Sequence, residues 1–480
     1  MPATLLWFDI ETFGTHAQWD RIAQFAAIRT DDSFEPVDEP LVLHCRVSAD
    51  YLPDPGACIV TGITPDVVNE IGISEREFAA EIHTTMMQSG TCSVGYNSLR
   101  FDDEFIRALF YRNFYDPYRR EYESGNSRWD IIDLARMCHD LRPDGIEWVE
   151  DDEGRPSFRL GELTRANGIE HENAHDALAD VRATIDLAAL IHDRQPKLFT
   201  YYYELRKKDA VRRRLNLQRM EPVLHTSRMF SSEKGCTTVV LPLSVHPTKP
   251  NVIICYDLRR NPADWLDQPI DELKRRVFSK SEELDDGERI PLKGIHLNRS
   301  PAIAPISTLM SDRAVLLGID LALCRTHADM LTAQSELIQK VRSVFSDPPQ
   351  RNPYDPELQI YSGDFFPDED REVFERIRTS TPVELREKPP KLYDPRGNEL
   401  LWRYIARNFP ESLDDEERAR WRSFCATRIL TPEPDYVIDF GRYMREVTNQ
   451  IKRVDTPAAD KRVLKRLLEY GENLEATILS

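Results

Sequence analysis

The sequence predicts an α/β domain, then a small β-containing domain, then a helical C-terminal domain. Strand-like and helical patterns alternate up to about residue 195 of the 480 residues. Apolar and β-branched runs bounded by proline come next, and the remainder is helical in pattern. We therefore expect domains at residues 1–195, 196–346 and 347–480.

The α/β domain is predicted from short apolar runs that alternate with longer helical patterns. Strand-like runs lie at 25–28 and 41–43, and helical stretches lie around 102–114, 129–141 and 176–193. The last helix carries an apolar stripe made of Leu178, Val181, Ile185 and Ala188. Asp176 is placed to cap the start of this helix, and Pro196 is expected to end the unit.

The second and third domains differ in the period of their apolar residues. Runs at 237–243 and 252–258 are apolar or β-branched and favour strands. A stretch at 346–356 contains prolines 348, 349, 353 and 356 and is typical of a linker. Spacings of three and four, which indicate helices, relate Phe440, Tyr443, Met444, Val447 and Ile451, and also Val463, Leu464, Leu467 and Leu468.

Composition excludes several classes of protein. Hydrophobic residues make up 41% and charged residues 30% of the chain, which is typical of globular domains and not of disordered chains. No apolar stretch approaches the roughly 20 residues of a membrane span, so we expect a cytoplasmic protein without membrane contact. The eight cysteines form no C-x-x-C pair, and we expect them to be reduced and mostly packed.

The net charge of −19 is unevenly distributed along the chain. Residues 1–195 contain 17 arginines, no lysine and 37 acidic residues, whereas the rest contains 46 basic and 45 acidic residues. Phosphate binding depends on basic side chains. An acidic domain that acts on nucleic acid therefore needs metal ions, arginine clamps or basic neighbouring domains, while solubility alone is the other explanation of the surplus.

The most informative motif is an acid-x-acid pair after an apolar run. Residues 5–8 lead into Asp9 and Glu11, and residues two apart on a strand point to the same side. Two adjacent carboxylates at a buried strand end favour a hard divalent cation such as Mg²⁺ or Mn²⁺. The alternative is a strand end that turns into solvent.

Two further motifs follow in a meaningful order. Asp102 comes after Phe101 at a predicted helix start, and Asp180 lies five residues after His175 near the start of the last helix of the domain. Either acid alone is explained by the preference of helix starts for negative charge, and His175 alone by capping. Together, D-x-E, N-x-x-x-F-D and H-x-x-x-x-D are similar to the histidine-bearing branch of the DEDD exonuclease superfamily.

The chain more specifically resembles the bacterial exodeoxyribonuclease I family. The resemblance is carried by residues 7–16, 95–97, 101–104, 111–118, 166–171 and 403–410. It spans the whole chain and is weakest in the middle domain. It implies an RNase H-like exonuclease domain, an SH3-like β domain and a helical domain that together enclose a strand channel.

The resemblance also implies a mechanism. It implies a Mg²⁺-dependent 3′–5′ exodeoxyribonuclease that degrades single-stranded DNA to 5′-mononucleotides in repair and recombination. The carboxylates expected to hold two Mg²⁺ ions, for which Mn²⁺ can substitute, belong to Asp9, Glu11, Asp102 and Asp180. His175 is the expected general base, because the imidazole pKa of about 6.5 lies near working pH. Asp103 is a rival to Asp102 as a ligand.

Substrate contacts and partners are less closely specified. Besides Glu11 and the basic run 206–214, candidate contacts with the strand are Arg107, Arg136, Arg159, Phe13 and Tyr118. Arg159 is favoured by the resemblance, whereas a solvated arginine or a core aromatic remains an alternative for the others. The resemblance adds the acidic tail of single-stranded DNA-binding protein as a partner. We expect a monomer.

Two other functions remain open from the residues. A 3′–5′ RNA exonuclease uses the same acids and histidine, because only recognition of the 2′-hydroxyl separates the substrates. An inactive nucleic-acid-binding scaffold is the other alternative. No G-x-x-x-x-G-K loop is present, so the sequence gives no sign of a nucleotide-driven motor.

Overall fold

The computed structural model describes residues 4–171, 175–230, 233, 235–285, 287–346 and 354–478. Within these ranges, no helix combines the length and apolar character that a membrane crossing needs. The prolines of the predicted linker at 348, 349 and 353 lie outside the described residues. Pro356 is described and begins a 3₁₀ turn, Pro356–Gln359.

The first domain is a mixed sheet between layers of helices. Its strands are β1 (Thr4–Thr12), β2 (Ile22–Thr30), β3 (Leu41–His44), β4 (Thr91–Gly95) and β5 (Ser127–Asp130), followed by a short β6–β7 pair (Val149–Glu150 and Pro156–Ser157). Its helices are α1 (Pro55–Thr61), α2 (Pro65–Ile71), α3 (Glu75–Met86), α4 (Asp102–Arg112), α5 (Ile131–Leu141), α6 (Leu160–Ala166) and α7 (Ala177–Arg194).

Strand β1 lies at the centre of this sheet. The order is β3-β2-β1-β4-β5, with β1 antiparallel to β2 and parallel to β4. Side chains alternate between the two faces of β1. Trp7 therefore packs in the cluster that contains residues of α5 and α7, and Phe8 in the cluster that contains residues of α3 and α4. Both faces of β1 are buried, which explains its continuous apolar start.

The predicted elements of this domain are confirmed, with one boundary shifted. The stretch 129–141, predicted to be helical throughout, begins with the last two residues of β5 before α5 starts at Ile131. Trp129 is fully buried in the core, and Asp130 caps α5 by accepting a hydrogen bond from the backbone of Ile132. The helical pattern of the sequence therefore extends two residues too far, over Trp129 of β5 and over Asp130, the cap of α5.

The second domain contains an antiparallel sheet with helices around it. Its strands are β8 (Val223–Thr226), β9 (Thr237–Val245), β10 (Val252–Asp257), β11 (Leu292–His296) and β12 (Ala302–Pro305), in the order β11-β10-β9-β8-β12. The helices of this region are α8 (Pro196–Glu204), α9 (Lys208–Arg214), α10 (Ala263–Leu266), α11 (Ile270–Phe278), α12 (Ser311–Leu316), α13 (Leu321–Thr332) and α14 (Leu337–Val344). Both predicted strands are confirmed as β9 and β10.

Helix α8 shows that Pro196 separates two helices without ending the packing of the first domain. Pro196 occupies the first turn of α8, where a missing N–H is tolerated. Phe199 and Tyr202 of α8 pack on Trp129 of the first domain, with ring centroids 5.0 and 5.6 Å away.

The third domain is helical, as predicted. Its helices are α15 (Asp368–Thr379), α16 (Pro382–Glu387), α17 (Pro395–Asn408), α18 (Asp415–Leu430), α19 (Phe440–Lys452) and α20 (Ala458–Ile478). The apolar faces of α19 and α20 pack together with α1 of the first domain. All eight cysteines of the chain are buried, as their scattered positions predicted.

Buried ion pairs join the first and third domains. Glu357 is 1% exposed and accepts hydrogen bonds from Arg21 and Arg428, each at 3.1 Å, and from Arg407. Arg407 also donates to Asp50 at 2.7 Å. Burial alone would raise the pKa of Glu357, but the surrounding guanidinium charges hold that pKa well below its ordinary value.

We predict that Glu357→Ala lowers the free energy of unfolding by about 3–5 kcal/mol, because the substitution leaves buried guanidinium groups without their carboxylate. Urea unfolding measures the loss. The control is Asp455→Ala, which removes an exposed ion pair with Arg453 and should leave stability unchanged. Equal effects of the two substitutions would contradict the role assigned to the buried pairs.

Candidate active site

Two candidate ligands lie near the end of the central strand. Asp9 and Glu11 share the face of β1 on which Trp7 packs, because residues two apart point the same way. Asp9 is half-buried and Glu11 is buried. The pairing of β1 with β2 shifts register between Glu11 and Thr12. Such an irregularity bends the strand, so Glu11 lies directly before the point where β1 leaves the regular sheet, and Asp9 lies two residues earlier.

Asp102 approaches these acids from the start of α4. Its carboxylate accepts a hydrogen bond from the backbone N–H of Ile10 at 3.2 Å, between Asp9 and Glu11 along β1. Asp102 is 4% exposed, and its pKa is raised by burial and by the negative charges of Asp103 and Asp130. The helix start and the strand end are thus tied together by one backbone hydrogen bond.

Asp103, the neighbour of Asp102, forms ion pairs with arginines away from the candidate ligands. It is buried, and its carboxylate forms ion pairs with Arg120 and, at 2.8 Å, with Arg128. These positive charges hold the pKa of Asp103 below its ordinary value, although burial alone would raise it. Asp103 is therefore a structural anion in this fold, which leaves Asp102 as the acid at this turn that faces β1.

The start of α7 supplies the remaining acid and the histidine. Asp176 caps α7 by accepting hydrogen bonds from the backbones of Leu178 and Ala179. Asp180 lies in the first turn, and His175 precedes the cap with a left-handed backbone, φ 74°. Ligand atoms of Glu11, His175 and Asp180 all lie within 4.8 Å of one another. The structure therefore brings Glu11 together with two residues that lie 164 and 169 positions further along the chain.

The acids of this site raise one another's pKa. Burial, followed by the charges of Asp180 and Asp102, raises the pKa of Glu11 to about 8. The pKa of Asp9 is raised well above its ordinary value by burial and by the charges of Asp102, Asp180 and Glu11. Asp9 and Asp102 lie outside the group of described ligand atoms within 4.8 Å but interact electrostatically with it. Such a set of oxygen donors fits hard divalent cations, which relieve the repulsion.

His171 is a residue of the site that the sequence analysis did not assign. Its Nε2 lies 2.5 Å from a carboxylate oxygen of Asp180, and its Nδ1 lies 3.2 Å from the hydroxyl of Thr164 in α6. The His171 side chain is only 6% exposed. It therefore fixes the orientation of Asp180. In the sequence, the one signal for His171 is that it lies in the segment 166–171, which carries the family resemblance. The H-x-x-x-x-D motif indicates His175 instead.

Comparison with known proteins identifies the family. The models named "Exonuclease", "Exonuclease I SH3-like domain" and "Exonuclease I C-terminal domain" match residues 6–188, 206–347 and 354–474. Exodeoxyribonuclease I of Escherichia coli K12 is 40% identical over 477 residues, which cover 98% of each chain. The chain belongs to the exodeoxyribonuclease I family. This confirms the resemblance found in the sequence and the predicted exonuclease, SH3-like and helical domains.

Further relatives agree over nearly the whole chain. Exodeoxyribonuclease I of Haemophilus influenzae is 40% identical and covers 97% of this chain and 98% of its own. The structure of E. coli exonuclease I with a dA16 oligonucleotide has a TM-score of 0.94, is 40% identical, and covers 98% of this chain and all of that one. Exonuclease I from Methylocaldum szegediense has a TM-score of 0.93 at 44% identity and covers 98% and 99% of the two chains.

The candidate strand contacts of this family member fall into two groups. Arg159, at the start of α6, is 81% exposed, and Glu162, at 3.0 Å, is its one ion-pair partner among the residues that the structure describes, so it is available to a phosphate. Phe13 is fully buried against Tyr51, and its backbone oxygen accepts a hydrogen bond from the Tyr51 hydroxyl. The expectation that Phe13 offers a stacking face is therefore wrong for this conformation. Phe13 is a core aromatic.

Arg107 and Arg136 are buried in ion pairs. Arg107 is 4% exposed and donates to Glu121 at 2.7 Å. Arg136 is 7% exposed and donates to Asp133 at 2.6 Å. Neither is an accessible phosphate clamp or a solvated arginine, the two alternatives predicted from the sequence, because buried acids already neutralise both charges.

Tyr118 and the basic run remain partly accessible. Tyr118 is half-buried, lies under the guanidinium of Arg107 and contacts Phe365 of the third domain with ring centroids 6.2 Å apart. In the basic run, Arg212 and Arg213 of α9 are exposed. These positions keep the accessibility that contact with a strand requires.

The raised pKa of Glu11 predicts a metal effect that depends on pH. In the metal-free protein, the protonated Glu11 carboxyl contributes to the free energy of unfolding at acid pH. This contribution is lost as pH rises through about 8. Cations bind the ionised form. Mg²⁺ should therefore raise the melting temperature more at about pH 8.5 than at about pH 6, as measured by calorimetry against chelator. Glu11→Gln should remove much of this difference, and an equal Mg²⁺ effect at both pH values would contradict the assignment.

Proposed function

We propose that this protein is a Mg²⁺-dependent 3′–5′ exodeoxyribonuclease that degrades single-stranded DNA to 5′-mononucleotides. The supporting observation is the convergence of carboxylates from β1, α4 and α7 beside His175. E. coli exonuclease I has been solved with dA16 and dT13 oligonucleotides and in a zinc-bound complex with single-stranded DNA. We therefore assign single-stranded DNA as the substrate of this protein and a divalent cation as its cofactor.

In the proposed mechanism, Asp9, Glu11, Asp102 and Asp180 would hold two cations. Bound there, the cations supply an activated water and stabilise charge on the scissile phosphate and the leaving 3′ oxygen. His175 accepts the proton of the attacking water, for which its exposed imidazole next to Glu11 and Asp180 is suited. His171 holds the Asp180 carboxylate in place. Arg159 binds a phosphate of the strand.

DNA is favoured over RNA as the substrate. The related E. coli complexes contain deoxyoligonucleotides. A scaffold without activity is disfavoured, because the five candidate catalytic residues are all present and mutually placed. We assign the activity to repair and recombination in the cytoplasm, on the basis of the family.

The digestion of end-labelled oligonucleotides tests this proposal. With Mg²⁺, a 3′-labelled DNA strand should release labelled mononucleotide at once, while a 5′-labelled strand should shorten progressively; chelator should stop both. Asp9→Asn should lower the rate by at least about 10³-fold, and His175→Asn by about 10²–10⁴-fold. Asp38→Asn, an exposed acid of the same domain, is the control. Faster digestion of a matched RNA strand would overturn the choice of DNA, and full activity of Asp9→Asn would overturn the site.

We further propose that the acidic tail of single-stranded DNA-binding protein docks between the first two domains. A cavity of about 480 Å³ is lined there by basic and apolar side chains, including Arg142, Lys197, Leu198 and Tyr201. Cationic groups beside an apolar floor suit an acidic peptide with an apolar end. The protein itself is proposed to be a monomer.

Binding of a synthetic peptide with the acidic tail, followed by fluorescence anisotropy, tests the docking site. Arg142→Ala combined with Lys197→Ala should weaken binding about tenfold, while digestion of free oligonucleotide stays unchanged. Arg418→Ala, an exposed arginine of the third domain, is the matched control. Unchanged affinity in the double variant would exclude this cavity as the binding site.

We also propose domain boundaries of 1–195, 196–346 and 347–480. The end of α7 at Arg194, the end of α14 at Val344 and the 3₁₀ turn that begins at Pro356 support them. Because α8 packs on Trp129, the first boundary, between residues 195 and 196, separates segments of the chain without separating the hydrophobic core.

A further inference from the structure

Glu104 contacts all three domains through one carboxylate. It lies in the first turn of α4, two residues after Asp102. One carboxylate oxygen accepts hydrogen bonds from Arg107 of the same helix and from Arg299 of the second domain, each at 3.0 Å. The other oxygen accepts a hydrogen bond from the hydroxyl of Tyr361 in the third domain. We call Glu104, Arg299 and Tyr361 the domain junction.

The second domain is fixed beside this junction by its own contacts. Arg128 of β5 donates to the backbone oxygen of Asn298 at 3.1 Å. Ser300 donates through its hydroxyl to the backbone oxygen of Arg128, also at 3.1 Å. The segment that carries Arg299 is thus anchored to the first domain on both sides of the arginine.

The third domain also contacts the other end of α4. The hydroxyl of Tyr111, in the last turn of α4, donates to the backbone oxygen of Pro356 at 3.2 Å. The ring of Tyr111 lies 5.7 Å from that of Phe366. The segment that carries Tyr361 therefore lies along α4, and its hydroxyl reaches the first turn of that helix.

The hydrogen bonds of the domain junction join charged groups but are partly accessible to water. The Glu104 and Arg299 side chains are 17% and 35% exposed, so their pair is only partly shielded from water. Hydrogen bonds between a carboxylate and a guanidinium are stronger than neutral ones, yet they weaken when water and salt compete for the charges. The second and third domains both bind the Glu104 carboxylate, so its loss removes one contact from each of them at the same time.

We propose that Glu104 is a positioning residue that keeps the second and third domains closed over the first turn of α4. A strand whose 3′ end reaches Asp102 then lies beside this closure and is retained between successive cleavages. The inference rests on the proposed function, because only an enzyme that degrades a strand stepwise needs to retain it. It adds a residue whose role is strand retention and not hydrolysis.

The experiment separates retention from chemistry. The number of nucleotides removed per binding event is measured on a long 5′-labelled strand with excess unlabelled strand as a trap. Hydrolysis of a trinucleotide, which is too short to need retention, measures the chemical step. The variants are Glu104→Gln, Arg299→Met, the double variant of both, and Tyr361→Phe, which removes only a hydroxyl. Arg119→Met, which breaks the exposed pair with Glu123 in the first domain, is the control.

We expect Glu104→Gln and Arg299→Met to shorten the run length about tenfold and the trinucleotide rate to change less than twofold. The double variant should be no worse than Glu104→Gln, because both substitutions break one connection. Tyr361→Phe should shorten the run length without lowering the melting temperature. Unchanged run lengths in all variants, or an equal fall in trinucleotide hydrolysis, would overturn the proposal. If the unsubstituted protein degrades no strand at all, the proposed function fails instead.

Discussion

The structure depends on holding several carboxylates close together inside the protein against their mutual repulsion. Asp9 and Glu11 end the central strand, Asp102 begins α4, and Asp180 begins α7. Their pKa shifts record the cost of this arrangement for the first three. Rigid elements are needed to maintain it, because flexible loops would let the charges separate. The hydrogen bond from the backbone of Ile10 to Asp102 serves this purpose by fixing the start of α4 on β1.

The same first domain neutralises several of its other buried acids with arginine. Asp103 pairs with Arg120 and Arg128, and Glu121 pairs with Arg107. The planar guanidinium suits such buried pairs better than an ammonium group does, which agrees with the absence of lysine from residues 1–195. The acidic surplus of this domain therefore does not leave a reserve of buried arginines for phosphate. Accessible cations such as Arg159 and the basic residues of α9, together with the metal ions proposed above, remain for that task.

Helix α4 connects chemistry with domain arrangement. Three consecutive acids in its first turn have three different roles: Asp102 faces β1, Asp103 forms buried ion pairs, and Glu104 contacts the flanking domains. Successive residues on a helix point about 100° apart, so one turn can address three surroundings. The family relationship fixes the overall architecture, and this turn is where the three domains meet the candidate active site.

The sequence by itself predicted most of the elements and the candidate ligands. Asp9 and Glu11 follow from the two-residue period of a strand, and the start of α7 follows from its apolar stripe and Asp176, all of which are local properties. The tertiary structure alone decided that Phe13 is a core residue, that Arg107 and Arg136 are buried in ion pairs, that His171 holds Asp180, and that Arg299 and Tyr361 meet at Glu104. The physical reason is that local patterns set which way a side chain points on its own element. Which distant groups it meets is set by how the elements and domains pack.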